Sequence, residues 1–234
     1  MRQAYYIFKR EFSSYFVSPI AYIVITVFLL VTGWFFFSTF FAYNQANLRN
    51  FFNLLPYVFS FIVPAVTMKL FSEELNIGTY EILLTMPVTF GDVIIGKFAA
   101  SLVLITTMLA PTLSYPLFIS ILGDLDWGPV LGGYIGSILL GAAYSAIGLF
   151  ASSLTRNQII AFIIGVALCF GMAILDQMLF FLPGVVVGLF QYLAADFHFQ
   201  NISKGIIDSR DILYFLSISF TGLYASNLVM QGRR

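Results

Sequence analysis

The sequence predicts an all-α integral membrane protein with six transmembrane helices, an amino-terminal amphipathic helix in the membrane interface and a re-entrant helical hairpin before the last span. Of its 234 residues, 60% are hydrophobic and only 9% are charged, and the mean hydropathy is +0.93. A soluble domain carries about 25% charged residues. Uncharged intervals also recur at the length of about 20 residues that a helix needs to cross the hydrocarbon core. The solvent for most of the chain is therefore lipid.

The charged residues and the scarce cysteine and histidine exclude several classes of function. Eleven basic residues balance eleven acidic ones, so the chain has no basic surplus for binding nucleic acid. The single cysteine, Cys169, and the single histidine, His198, provide neither a disulfide framework nor a Cys/His metal cluster. Asp196 and His198 are interpreted as a surface pair. No charge lies near the middle of an assigned span, so neither an ion relay nor an intramembrane enzyme is expected.

Residues 1–18 precede the first span. Aromatic residues such as Tyr5, Phe12 and Phe16 recur at helical spacing, opposite charged and hydroxyl side chains. This pattern predicts an amphipathic helix in the cytoplasmic interface, with Ser18-Pro19 as the corner into the bilayer. A soluble cap helix is the alternative.

The uncharged intervals predict six spans. These are residues 20–41, 54–68, 98–122, 130–154, 159–175 and 212–229. A seventh interval, Gln177 to Ala195, is broken by Pro183-Gly184, so residues 176–211 are predicted to form an external re-entrant segment. Six and seven spans satisfy the positive-inside rule equally, and both place the amino terminus in the cytoplasm. Six spans place both termini there.

The fourth span carries small residues at four-residue intervals, which are Gly133, Ser137, Gly141 and Ser145, and Gly148 and Ser152 continue a neighbouring stripe. Small residues allow helices to approach closely. Tight packing within one bundle is the first interpretation of this stripe. A homodimer seam and a substrate path are the alternatives.

An apparent phosphate-binding loop runs from Gly91 to Lys97. Phe98 replaces the Ser or Thr that would bind Mg²⁺, and no strand precedes the loop. Thr89 and Asp92 are predicted instead to form the capping box that starts the third span. ATP binding at this position is rejected.

Residues 69–97 are predicted to form the one large cytoplasmic loop. Lys69 and Glu73 lie four residues apart on one helical face, Gly78 can end that helix, and Pro87 can end a second short one. Apolar residues cluster between acidic ones in the second piece. A short amphipathic helix of this kind suits docking into a groove on a soluble partner.

The loop also carries a family resemblance. Glu73-Glu74, Gly78-Thr79, Glu81, Leu83-Leu84, Thr85, Pro87-Val88 and Gly96-Lys97 together resemble the signature of type-2 ABC transporter permeases. The interfacial helix, the six spans and the broken segment extend this resemblance over the whole chain. Arg10 to Tyr22 and Phe197 to Asp211 are most similar to the gliding-motility-associated branch. Relatives in copper-enzyme maturation and polysaccharide export share much of the pattern.

The resemblance implies a permease subunit of an ATP-binding-cassette exporter in the bacterial cytoplasmic membrane. Such a chain has no cofactor, catalytic residue or metal site of its own, because ATP and Mg²⁺ bind a separate ABC ATPase. A second permease copy, as a homodimer or as a homologous chain, would complete the pathway. The short connection between the first two spans leaves any substrate-gripping domain to an accessory extracytoplasmic protein.

The resemblance also implies which residues contact the ATPase. In the coupling loop they are Glu73, Glu74, Gly78, Thr79, Tyr80, Glu81, Leu83, Leu84, Met86 and Pro87. In the interfacial helix they are Phe8, Lys9, Arg10 and Phe12. Glu73 and Glu74 would brace the loop to the bundle. The alternative function is a membrane anchor that tethers a motor or scaffold without transport.

Overall fold

Apolar segments in lipid become helical because the bilayer core offers no hydrogen-bond partners to an open backbone. The structure is a computed structural model that describes residues 2–43, 47–79, 89–178, 188, 191–206 and 208–233. Within these ranges the chain forms helices and no strand. Six helical segments are long and apolar enough to cross a membrane. The prediction of an all-α protein with six spans is confirmed.

Ten α-helices lie wholly within the described ranges. They are α1 Arg2–Val17, α2 Ile20–Tyr43, α3 Arg49–Thr67, α4 Lys69–Ile77, α5 Phe90–Leu109, α6 Ser114–Leu122, α7 Trp127–Leu154, α8 Gln158–Met178, α9 Ala195–Ser203 and α10 Ser209–Gln231. A 3₁₀ turn, Ala110–Leu113, joins α5 to α6. The spans are α2, α3 with α4, α5 with α6, α7, α8 and α10.

The predicted cytoplasmic loop is shorter in the structure than residues 69–97. Helix α4 continues the second span as far as Ile77, and the third span already begins at Phe90. The prediction treated the charged residues Lys69 and Lys97 as the limits of the loop. The structure keeps both in helices, because neighbouring side chains neutralise or cover them at the end of the bundle.

Helix α7 lies at the centre of the bundle. In its most apolar stretch 72% of the residues are buried, against 17% in α10. It packs against α3, α4, α5, α8, α9 and α10. In the most apolar stretches of the peripheral helices α2, α8 and α10, only 17–22% of the residues are buried, as expected of surfaces that face lipid.

The small-residue stripe of α7 packs inside the chain. A Cβ at Gly133 would clash with the Phe52 ring, and one at Gly141 would lie 3.0 Å from the Ile105 side chain. Ser137 donates to the Gly133 carbonyl at 2.6 Å, and Ser145 is buried. Helices α3 and α5 of the same chain therefore pack on this face.

Residues 179–187 and 189–190 of the predicted re-entrant segment, residues 176–211, lie outside the described residues. Its carboxyl-terminal part is α9, which packs against α3, α7, α8 and α10. The hairpin as a whole stays a prediction.

Candidate functional site

A cluster of four charged side chains lies where α1, α4 and α5 meet. It consists of Arg10 and Glu11 from α1, Glu74 from α4 and Lys97 from α5, and it is called the ionic cluster below. Two positive and two negative charges make it neutral. Three helices that are separate in sequence are thus joined by one network.

Lys97 is the centre of the ionic cluster. Its side chain is only 1% exposed. The Nζ atom donates to the Leu70 carbonyl at 2.6 Å, to Glu74 Oε1 at 2.8 Å and to Glu11 Oε1 at 3.2 Å. These three acceptors match the three donors of an ammonium group. The buried charge is therefore fully paired, which is the condition for tolerating it away from water.

Arg10 closes the network from the exposed side. Its guanidinium reaches Glu11 Oε1 at 2.6 Å and Glu74 Oε1 at 3.2 Å. Burial by itself would raise the pKa of Glu11, but the charges and hydrogen bonds of Lys97 and Arg10 outweigh it, so that this pKa lies below its ordinary value. Glu11 is thus an ionised acceptor at neutral pH.

A close helix contact sets the position of α1. A Cβ at Gly96 would lie 2.8 Å from the Ala4 carbonyl oxygen and 2.9 Å from the Ile7 side chain. Lys97 follows Gly96 directly. The same turn of α5 therefore allows α1 to approach closely and provides the positive charge of the ionic cluster. Along α1, the rings of Phe8 and Phe12 stack with centroids 5.8 Å apart and continue to Phe16.

A second set of contacts ties α1 and α7 to the junction between α3 and α4. Tyr15 of α1 is buried and donates to the Val66 carbonyl at 3.1 Å. Ser152 of α7 accepts from the amides of Phe71 and Ser72, each at 3.0 Å, and donates to the Met68 carbonyl at 2.6 Å. A side chain inserted into a helical hydrogen-bond ladder is a recognised cause of a break. The end of the second span is thereby attached to the central helix.

The exposed tip of this region is the end of α4. Gly78 has a φ of 82° and its amide donates to the Glu74 carbonyl at 3.0 Å. This left-handed cap is typical of glycine. Ile77 is 66% exposed, and Gly78 and Thr79 are exposed too. The chain therefore presents the end of α4 outward.

The contact residues implied by the resemblance fall into three groups. Glu74 and Arg10 belong to the ionic cluster, whereas Glu73 and Lys9 are exposed. Glu73 lies outside the ionic cluster, and the bracing role expected of it stays a prediction. Six residues of the loop lie outside the described residues, namely Tyr80, Glu81, Leu83, Leu84, Met86 and Pro87.

Sequence reasoning missed the roles of Glu11, Lys97, Tyr15 and Ser152. Glu11 was grouped with the polar face of α1, and Lys97 with the apparent phosphate-binding loop. That loop is a helix: Thr89 accepts from the Asp92 amide at 3.2 Å, as the capping box requires, and the glycines lie in α5. The sequence feature that could have indicated a buried ion pair is Lys97 directly after Gly96, near the start of the third span.

The interpretation of Asp196 and His198 as a surface pair is wrong. Both are buried, with 2% and 3% exposed, and they bind different partners. His198 Nδ1 lies 2.6 Å from Asp211 Oδ1 of α10, and its ring stacks on Tyr214 at 3.9 Å. These contacts attach α9 to the start of α10.

Asp196 instead faces α3 and its own helix. One carboxylate oxygen accepts from Gln200 at 2.9 Å and from the Tyr57 hydroxyl at 3.5 Å. Burial, together with the nearby negative charge of Asp176, raises the pKa of Asp196 to about 6. In the described part of the chain, no group of three or more His, Cys, Asp or Glu residues could hold a metal ion.

The fold and the ionic cluster together define a helical membrane protein with six candidate spans and a charged, tightly braced end. A family model described as ABC-2 family transporter protein matches residues 37–231. The chain therefore belongs to the ABC-2 transporter family and is a permease subunit of an ABC transporter, a class that works with an ABC ATPase. Comparison with curated proteins gives no match.

Proposed function

We propose that this chain is the membrane subunit of an exporter in which the ionic cluster transmits the motion of a separate ATPase into the bundle. The observation that supports the proposal is the buried Lys97, which ties α1, α4 and α5 together through Glu11 and Glu74. A buried pair with one partner removed leaves an uncompensated charge, which costs several kcal/mol. The three helices are therefore expected to move as one unit.

The exposed tip of α4 provides the point where a force can enter. The ATPase is proposed to dock on the loop from Gly78 to Pro87 and on the side of α1 that carries Phe8, Lys9 and Phe12. Lys9 and Thr79 are exposed and accessible to a partner. Force on this tip passes through Glu74 to Lys97, and through Ser152 to the central α7.

The remaining features of the proposal follow from the resemblance. Both termini lie in the cytoplasm, the membrane is the bacterial cytoplasmic membrane, and ATP and Mg²⁺ bind the ATPase. A second permease copy pairs through a peripheral helix, since α2, α8 and α10 leave apolar surface exposed. Export as part of a gliding-motility-type complex, with an accessory extracytoplasmic protein, is the specific version of this function.

The test is purification of the tagged chain from its native membranes in mild detergent, with identification of the co-purified proteins and assay of their ATPase activity. Glu11→Gln removes an ionised acceptor of Lys97 and Arg10 while keeping the side-chain shape. Asp124→Asn is the matched control, because it removes an exposed carboxylate that is remote in sequence from the proposed ATPase contacts. We expect Glu11→Gln to lower permease-dependent ATPase stimulation about tenfold with unchanged stoichiometry, and Asp124→Asn to leave it unchanged.

Equal stimulation in the two variants would show that the ionic cluster does not carry the coupling. Recovery of the chain with scaffold proteins and without an ATPase would favour the non-transporting anchor. Gly78→Pro adds a test of the loop itself, because proline cannot adopt a positive φ. It is expected to abolish stimulation while the bundle stays assembled.

A further inference from the structure

A cavity of about 280 Å³ lies at the end of the bundle opposite the ionic cluster. Arg49, at the start of α3, and Lys204, just after α9, both line it. We propose that this cavity binds the phosphate group of an anionic amphiphile, with a phospholipid headgroup as the source that its lining favours. The proposal goes beyond coupling and does not depend on an ATPase.

The two basic residues reach the cavity from positions far apart in sequence. Lys204 precedes Gly205, which has a φ of 84° and packs so closely on the start of α7 that a Cβ would lie 3.0 Å from the Gly128 carbonyl carbon. A Cβ at Gly132 would clash with the Ile202 carbonyl oxygen. These backbone contacts hold the end of α9 against α7. The position of Lys204 is thus set by packing.

Two basic side chains and one carboxylate give the described lining of the cavity a net formal charge of +1. Arg49 and Lys204 are exposed, and neither makes an ion pair with a carboxylate of the described residues. The one carboxylate in the lining is Asp126, whose Oδ1 already accepts from the Gly128 amide at 3.0 Å as the cap of α7. The amino-terminal ends of α3 and α7 add positive potential at this site. An anion is therefore the complementary ligand.

The floor of the cavity is apolar. Phe52 and Val130 are buried and line it beside the amide side chain of Asn53. Both α3 and α7 begin here, so the cavity lies at the level where spans leave the bilayer. Basic pockets between membrane helices are suited to anionic headgroups. A phospholipid would place its phosphate at the basic rim of the cavity and its glycerol and acyl carbons over the apolar floor.

The test uses the full chain in a neutral maltoside detergent, without any ATPase. Binding of dihexanoyl-phosphatidylglycerol is titrated by calorimetry and compared with dihexanoylglycerol, which lacks the phosphate, and with glycerol 1-phosphate, which lacks the chains. The variant is Arg49→Gln with Lys204→Gln. The matched control is Arg156→Gln with Arg210→Gln, which removes two exposed basic charges from other places.

We expect the Arg49/Lys204 variant to bind dihexanoyl-phosphatidylglycerol at least about tenfold more weakly than the wild type and the control. Weaker binding of glycerol 1-phosphate than of the lipid identifies a lipid headgroup, and equal binding identifies a soluble phosphate as the source. The site would be overturned if dihexanoylglycerol bound as tightly as dihexanoyl-phosphatidylglycerol. It would also be overturned if the variant and the control lost the same affinity for dihexanoyl-phosphatidylglycerol. Circular dichroism and elution volume verify that both double variants are folded.

Discussion

Replacing Lys97 by methionine removes the central charge of the ionic cluster while keeping a flexible side chain of similar length. The Leu70 carbonyl then loses a hydrogen bond of 2.6 Å, and Glu11 and Glu74 lose the ammonium group between them. Arg10 still contacts both carboxylates. The variant is expected to fold less stably because two carboxylates share one partly exposed cation.

The magnitude follows from the burial of the groups. Breaking a buried ion pair by removing one partner costs about 3–5 kcal/mol. The side chains of Glu11 and Glu74 are 14% and 17% exposed, so water relieves part of the repulsion. We therefore expect a loss near the lower limit, about 3 kcal/mol, which corresponds to roughly a 150-fold change in the unfolding equilibrium.

The assay is reversible unfolding in mixed micelles of dodecyl maltoside and dodecyl sulfate, followed by far-ultraviolet circular dichroism. Lys9→Met is the control, because Lys9 is an exposed lysine on α1, where surface substitutions change stability by about 0.5 kcal/mol or less. A loss below about 1 kcal/mol for Lys97→Met, the value of an exposed pair, would refute the account of the ionic cluster.

The pH dependence gives a second measurement on the same variant. Because the pKa of Glu11 is lower in the folded state, its contribution to stability is present above the unfolded value of 4.5 and is lost as the pH falls through the folded pKa. Lys97→Met removes one of the charges that lower the pKa of Glu11 in the folded state. Its stability should therefore fall less steeply than that of the wild type below pH 4.5.

Two further predictions concern the packing of α7 and the burial of Asp196. Gly133→Ala should destabilise the fold by about 1–3 kcal/mol, because the new methyl group meets the Phe52 ring, whereas Gly171→Ala, with nothing within 4 Å, should be neutral or stabilising in the same unfolding assay. Since the pKa of Asp196 is raised to about 6, the contribution of Asp196 to wild-type stability should decline as the pH rises from about 4 to about 6. Asp196→Asn should abolish that decline, and an unchanged pH profile would contradict the burial of its charge.

The family resemblance was predictable because its residues lie close together in sequence. Glu74 and Gly78 lie four residues apart, so the end of one helix and its glycine cap can be recognised from local spacing. The ionic cluster was not predictable in the same way, because Lys97 joins Glu74 across 23 residues and Glu11 across 86. No periodicity links residues at such separations.

The capping glycines show the same distinction. Gly78 was predicted to end a helix, and its left-handed conformation ends α4. The small residues of α7 were predicted to form a packing face, but the helices that pack on it could not be predicted. A small residue indicates that another helix approaches closely, but it does not identify that helix. The structure identifies α3 and α5 as those partners.

By itself, the sequence determined the solvent, the helical class, the six spans and the family pattern, because each depends on composition or on spacing within a few turns. The tertiary structure decided which charges are buried and with whom they pair. It paired the buried Lys97 with Glu11 and Glu74, inserted Ser152 into the α3–α4 junction, and separated Asp196 from His198. The physical reason is that a charge is tolerated in a low-dielectric bundle only where distant segments provide its partners.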